Sequence, residues 1–178
     1  MVTRKVILTA ILAATMAGIA YPATEPVSEK EQARIAKEAR HEIVMLPYFD
    51  VFDNINFRVD GYNVILMGQV TRPTLKSDAE RVVKGIEGVE SVTNQIEVLP
   101  LSPHDDRLRV ALYHRIYGYP VLQRYALPVI KPIRIIVKNG NVTLEGVVDN
   151  EADKNLVKLR ANGVHGAFSV TSNLRVEE

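Results

Sequence analysis

The residue types that could support catalysis or metal binding do not form a recognisable constellation in this chain. No cysteine is present, which excludes disulfides, thiolate metal sites and cysteine nucleophiles. The pair Asp105 and Asp106 could suggest acid/base chemistry, but at the start of a predicted helix both are explained by capping and by the helix dipole. The histidines are scattered without the spacing of zinc ligands: His41, His104, His114 and His165. We therefore expect no catalytic residue, no metal site and no cofactor.

The elements that the chain does specify come in two copies. Residues 136–148 predict a β-hairpin, because Asn139 and Gly140 suit a tight turn and apolar residues then alternate at the two-residue period of a strand. The same pattern occurs without a gap 78 residues earlier, in residues 59–70. An internal repeat of this length predicts two tandem units.

Each repeat is predicted to be an α+β unit with the order αββαβ. In the first, Ser28 caps a helix that ends before Pro47, and Thr71 caps the helix after the hairpin. In the second, Asp149 takes the place of Thr71. We expect the aromatic link at residues 48–52 to pack into the first core. The predicted boundaries are residues 28–99 for the first unit, 100–104 for a linker and 105–178 for the second unit.

The N-terminus has the layout of an export signal, in which Arg4 and Lys5 precede an apolar run from residue 6 to residue 20. We expect residues 1–23 to be a signal peptide, cleaved after Ala20 or Ala23. A retained membrane anchor is the alternative, although the run is shorter than the ~20 residues that span a bilayer. Export without cysteine suits a bacterial periplasm.

Charge is distributed unevenly between the two halves. Residues 21–100 hold 9 basic and 13 acidic side chains, whereas residues 101–178 hold 11 basic and 8 acidic ones. A polyanionic partner should therefore meet the second half. Nucleic acid is not expected, since the chain without its first 20 residues has a net charge of −1.

The hairpin and the closing strand together resemble the BON domain family. The resemblance rests on the turn and strand around Asn139, Gly140 and Gly146, on their counterparts around Gly61 and Gly68, and on the closing run that starts at Gly88. The second copy departs from the family pattern at Ala167 and Ser172. The resemblance implies tandem small sandwiches, each a three-stranded mixed sheet covered by two helices. It also implies a periplasmic or envelope location, no catalysis, and a role in phospholipid binding or in supporting the envelope under osmotic or other stress.

Six glycines are expected to be structural: Gly61, Gly68, Gly88, Gly140, Gly146 and Gly166. A glycine on the inward face of a strand indicates that something packs closely over it. For Gly68 and Gly146 we expect this to be the helix of the same unit.

Two surfaces are candidates for binding. Tyr62, Ile65 and Met67 lie on the outer face of the first sheet and would contact the second unit or a partner chain. The segment between residues 113 and 132 mixes tyrosines with basic residues, a composition that suits a bilayer interface. The candidates for lipid contact are Tyr117, Tyr119, Arg124, Tyr125 and Lys131. The alternative is that these rings fill the second core.

The sequence therefore predicts a non-enzymatic periplasmic or envelope binding module with an anionic phospholipid surface as its partner. The alternative is an adaptor that binds other proteins in an envelope or secretion assembly. Clustering of the basic residues of the second unit on one exposed face would favour the membrane.

Overall fold

The computed structural model describes residues 28–177, which form two α+β units joined by a short connection. The predicted signal peptide lies outside the described residues. The first unit consists of α1 (Glu29–Val44), β1 (Asn54–Asp60), β2 (Asn63–Val70), α2 (Pro73–Lys84), β3 (Ser91–Asn94) and β4 (Glu97–Val98). The second consists of α3 (Pro103–Tyr117), a 3₁₀ helix (Pro120–Ala126), β5 (Ile133–Lys138), β6 (Asn141–Val148), α4 (Glu151–Asn162) and β7 (Ser169–Val176).

Each unit contains a mixed sheet whose central strand is the second strand of the hairpin. β1 pairs antiparallel with β2, and the closing strands β3 and β4 pair parallel with β2. In the second unit β5, β6 and β7 repeat this arrangement. Asn139 and Gly140 have φ angles of 52° and 75°, the left-handed values that a two-residue hairpin turn requires. The predicted α+β fold with an αββαβ order is confirmed.

Two separate hydrophobic cores lie between the sheets and their helices. In the first, Ile35, Ala39 and Ile43 of α1 meet Val64 and Leu66 of β2. In the second, Leu112 and Ile116 of α3 meet Leu144 and Val148 of β6. Side chains at these positions point alternately in and out along β2 and β6, as the two-residue period predicts.

The helix caps differ in part from the predictions. The Ser28 hydroxyl accepts a hydrogen bond from the Glu31 N–H, as expected. Thr71 is not the cap of α2; its N–H and hydroxyl donate to the buried carboxylate of Asp53. Asp149 is not the cap of α4 either, because Asn150 takes that position and accepts from the Asp153 N–H. The residues before the second helices therefore anchor the chain to its core.

The link between α1 and β1 joins the two units. Phe49 packs against the first core, but Val51 is buried in the second and Phe52 packs against it. The prediction that the whole link packs into the first core was therefore wrong. The Val51 carbonyl accepts a hydrogen bond of 2.9 Å from the Ile135 N–H. The link of the first unit thus forms a main-chain hydrogen bond with strand β5 of the second unit.

The departure at Ser172 changes how the last strand meets its helix. In the first unit the side-chain amide of Asn94 donates to the Lys76 carbonyl of α2, and its oxygen accepts from the Ile96 N–H. The hydroxyl of Ser172, which replaces this asparagine, is buried without a hydrogen-bond partner among the described residues. Strand β7 therefore forms although the residue at this position donates no side-chain hydrogen bond to α4.

Gly68 and Gly146 are explained by the neighbouring strand and not by the helix that we expected. Their φ angles are 115° and 123°, values that other residues rarely adopt. A Cβ atom at Gly146 would collide with the Pro132 carbonyl oxygen at the start of β5, and one at Gly68 would collide with the Asn54 carbonyl oxygen. The hairpin can therefore close at this point only with glycine.

We predict that Gly146→Ala lowers the free energy of unfolding by about 2–4 kcal/mol, because it combines backbone strain with a collision against main-chain atoms. Urea denaturation measures the change. Gly163→Ala is the matched control, since its Cβ would meet nothing closer than 3.6 Å and should change stability by less than about 1 kcal/mol. Equal effects of the two variants would contradict this explanation.

Asp105 fastens the second hairpin to α3. Its carboxylate is buried and accepts hydrogen bonds of 2.8 Å from the Asn139 and Gly140 N–H groups, while Ser102 serves as the helix cap. Its role is therefore a clamp on the turn and not the cap that we predicted. Burial raises the pKa of Asp105, but these two hydrogen bonds lower it, together with the contact from His104 and the charge of Arg109, so that the pKa lies below its ordinary value of 3.8.

We predict that Asp105→Asn lowers the free energy of unfolding at neutral pH by about 1–3 kcal/mol, the usual effect of losing hydrogen bonds to a buried charge. Because the folded pKa is depressed, the carboxylate stabilises the fold above pH 3.8 and loses this effect as the pH falls through the folded value. The variant should therefore lose less stability than the wild type between neutral pH and pH ~3. Parallel urea titrations test this, with the exposed Asp60→Asn as control; identical slopes for Asp105→Asn and wild type would disprove the clamp.

Candidate binding surface between the two units

The structure separates the predicted lipid-contact residues into core and surface. Tyr117 and Tyr125 are only 3% and 4% exposed and belong to the second core. The Tyr117 hydroxyl donates to the Ile133 carbonyl, and burial raises the pKa of this phenol. The Tyr125 hydroxyl donates to the Asp153 carboxylate. Their rings cannot reach a membrane surface in this conformation, so the alternative of core packing applies to both.

The charge of Arg124 is largely neutralised. Its guanidinium pairs with the carboxylates of Asp149 and Asp153 on the α4 side. Tyr119 is half-buried, with the Arg160 guanidinium 4.3 Å from its ring centroid. Lys131 donates from Nζ to the Pro128 carbonyl and forms no ion pair among the described residues. Of the five candidates, Lys131 alone presents an uncompensated positive charge at the surface.

The loop before β5 exposes apolar side chains to solvent. In this apolar loop, residues 127–130, Leu127 is 83% exposed and Val129 is 98% exposed, while Ile130 is 44% exposed. The loop lies between the 3₁₀ helix and β5, so no strand or helix turns these side chains inward. Pro128 and Pro132 on either side of a short apolar run were the available sequence indication.

The outer face of the first sheet is partly covered. Tyr62, Ile65 and Met67 are half-buried, whereas Val64 and Leu66 between them are fully buried in the first core. The hydrogen bonds that join the units come instead from the link at residues 50–51 to β5, with one ion pair between Glu97 and Lys138. An interaction role for the Ile65 and Met67 face stays a prediction.

A cleft opens beside this connection, between α1 and the link on one side and α3 and the apolar loop on the other. Its first part has a volume of about 540 Å³, and half of its lining residues are apolar side chains other than Val51: Val44, Phe49, Phe52, Val110, Val129 and Ile130. Its second part, of about 550 Å³, shares Val44, Phe49, Ile130, Lys131 and Arg134 with the first. The two parts therefore form one continuous depression.

The cleft carries positive charge from both units. Lys37 and Arg40 line it from α1, and Lys131 and Arg134 line it from the second unit. Asp50 is the single acidic residue in the lining of either part. This cluster cannot be recognised from the sequence, because its members on α1 and before β5 lie about 90 residues apart in the chain and meet only in the tertiary structure.

Arg134 lies at the centre of the cleft. One of its Nη atoms donates to the Asp50 carbonyl at 2.8 Å, and its guanidinium stacks 4.6 Å from the Phe49 ring centroid. It has no ion-pair partner among the described residues, and burial lowers its pKa from the ordinary value. The arrangement can attract an anion.

Within residues 28–177, no three side chains of His, Asp or Glu converge in a way that could hold a metal ion. Over the same range, none of the helices combines the length and apolar character needed to cross a bilayer.

Comparisons with known proteins identify the family. The BON domain model matches this chain twice, at residues 31–100 and at residues 123–178. A search of curated proteins found no match. Among solved structures, CdsD, a structural protein of the type III secretion system of Chlamydia trachomatis, is 12% identical, with 81% of this chain and 92% of that chain covered and a TM-score of 0.33. A structure of the CdsD C-terminal domain is 13% identical, with 83% and 99% covered and a TM-score of 0.29. TM-scores this low do not establish a shared fold or function.

The fold consists of two small α+β units with a cleft between them. The chain belongs to the BON domain family and contains tandem BON repeats. Membership of this family of binding domains fits an envelope-associated module in the envelope or periplasm.

We predict that Val51→Asp uncouples the two units, because it places a charge in the second core at the only link residue that is buried there to 3%. The variant should show faster proteolysis between the units and a smaller slope in urea denaturation. Val121→Asp is the control, since Val121 is 50% exposed. Unchanged protease resistance in Val51→Asp would show that this contact does not hold the units together.

Proposed function

We propose that this protein is a non-enzymatic module of the bacterial periplasm or envelope that contacts anionic phospholipid and so supports the envelope under stress. The observation that carries the proposal is the apolar loop, whose residues Leu127 and Val129 project into solvent directly beside Lys131. Apolar side chains that enter the boundary between headgroups and acyl chains, flanked by a lysine that meets anionic headgroups, are typical of a protein that binds a membrane surface.

The charges available for this contact are few, which determines how it should behave. Arg124 and Lys138 of the second unit are engaged by carboxylates, so the free cations near the loop are Lys131, Arg134 and the α1 residues of the cleft. At ~1 kcal/mol per basic residue near an anionic surface, the attraction is weak and sensitive to salt. The export signal expected at residues 1–23 supports a location where such a surface is within reach.

We predict that the protein sediments with anionic vesicles and not with neutral ones, and that Leu127→Glu reduces this binding by about tenfold by placing a charge where an apolar side chain should enter the membrane. The matched control is Leu159→Glu on α4, where the leucine is 67% exposed and lies outside the loop. Binding should fall as salt is raised.

Wild-type protein that fails to sediment with anionic vesicles, or equal losses in the two leucine variants, would contradict the membrane contact. The adaptor alternative would then be the better account. It is favoured by one specific observation: β7 has a single neighbour, β6, among the described strands, so an eight-residue edge is free to pair with an extended segment of another protein.

A further inference from the structure

The cleft between the units has a charge distribution that needs an explanation beyond contact of the apolar loop with a membrane. Four cationic residues line its second part, and none of them forms an ion pair among the described residues: Lys37, Arg40, Lys131 and Arg134. The single acidic residue of the lining, Asp50, already accepts the Val51 N–H with its carboxylate at 2.6 Å, and the Asp53 carboxylate, which also acts on Arg134, is held by Thr71. Cations collected in a concave, partly apolar site attract an anion of matching size.

Arg134 is the most constrained of these cations. It is half-buried and stacked on Phe49, and within residues 28–177 its one hydrogen bond goes to a main-chain carbonyl. Burying a guanidinium without a carboxylate partner is unfavourable, and an anionic ligand would remove that penalty while using the remaining N–H donors. The position corresponding to Arg134 in the first repeat, 78 residues earlier, is Asn56, so the charge is not required by the fold itself.

The other wall of the cleft is apolar. Phe49, Val44 and Ile130 are common to both parts of the depression, and the volume of about 540 Å³ in the first part falls within the range of small-molecule sites. The lining places cationic donors beside hydrocarbon. This combination favours a ligand with one anionic end and one hydrocarbon end.

We propose that the cleft binds a single anionic amphiphile, with its phosphate or carboxylate head at Arg134 and Lys131 and its hydrocarbon chain along Phe49, Val44 and Ile130. The proposal deepens the membrane function, because such a molecule is what an envelope surface offers. It does not depend on contact of the apolar loop with a bilayer, since the ligand enters as a monomer. Both units contribute, so the site exists only when they are docked.

The experiment titrates the full chain with decyl phosphate below its micelle concentration and follows amide shifts by NMR. We expect shifts in α1, the link and the start of β5. Arg134→Gln and Lys131→Gln should each weaken binding by about five- to tenfold, the effect expected from losing a charge-assisted hydrogen bond. Arg107→Gln is the matched control, because Arg107 is an exposed, unpaired arginine of α3 outside the cleft.

Further probes separate the parts of the proposal. Inorganic phosphate and decyltrimethylammonium should bind at least tenfold more weakly than decyl phosphate, because each lacks one of the two features the cleft recognises. Leu127→Glu should keep decyl phosphate binding while it loses vesicle binding, since Leu127 does not line the cleft. Lys131→Gln should leave the fold intact, because among the described residues the Lys131 side chain hydrogen-bonds only to the Pro128 carbonyl at the surface. Weaker binding by this variant can therefore be assigned to the lost charge and not to misfolding.

Three results would overturn the proposal. One is equal affinity of Arg134→Gln, Lys131→Gln and Arg107→Gln for decyl phosphate. Another is equal binding of inorganic phosphate and decyl phosphate, which would reduce the site to a simple anion site. The third is tighter binding of an acidic peptide than of decyl phosphate, which would assign the cleft to a protein partner.

Discussion

The burial of one link residue of the first unit in the core of the second is the interaction on which the rest of the molecule depends. Val51 lies among the side chains of the second core, and its carbonyl accepts the Ile135 N–H at the edge of β5. Two small units of this size each hold a limited apolar core, so a shared contact stabilises both. It also determines that α1 and the apolar loop face each other across a cleft.

The two repeats use different residues to hold the main chain before their second helix. In the first, the buried Asp53 carboxylate holds the Thr71 N–H before α2. In the second, the Tyr125 hydroxyl holds the Asp149 N–H before α4, and this tyrosine comes from the inserted 3₁₀ helix. The position that matches Asp53 is Lys131. Its ammonium group lies at the surface and does not take the structural role of the Asp53 carboxylate. The insertion thus supplies a structural replacement and creates the apolar loop and its lysine.

This divergence explains why one BON repeat would not provide the same binding surface. The basic residues of α1 need a facing wall, and the loop before β5 supplies it only because the insertion lengthens the second unit. Many cations of the second unit are paired within the fold, among them Arg109, Arg124 and Lys138. Lys131 and Arg134 are the unpaired cations of the second unit that line the cleft, where they face Lys37 and Arg40 of α1.

The sequence alone determined the repeat, the hairpins and the αββαβ order, because alternating apolar residues and an Asn-Gly turn are local signals that survive in any context. It also indicated the cores of both units. It did not determine that Val51 crosses into the second core, that Tyr117 and Tyr125 are buried while Leu127 and Val129 are exposed, or that Arg134 meets α1. Those outcomes depend on how the units dock and on an insertion without periodicity, and contacts between residues far apart in the chain exist only in the tertiary structure.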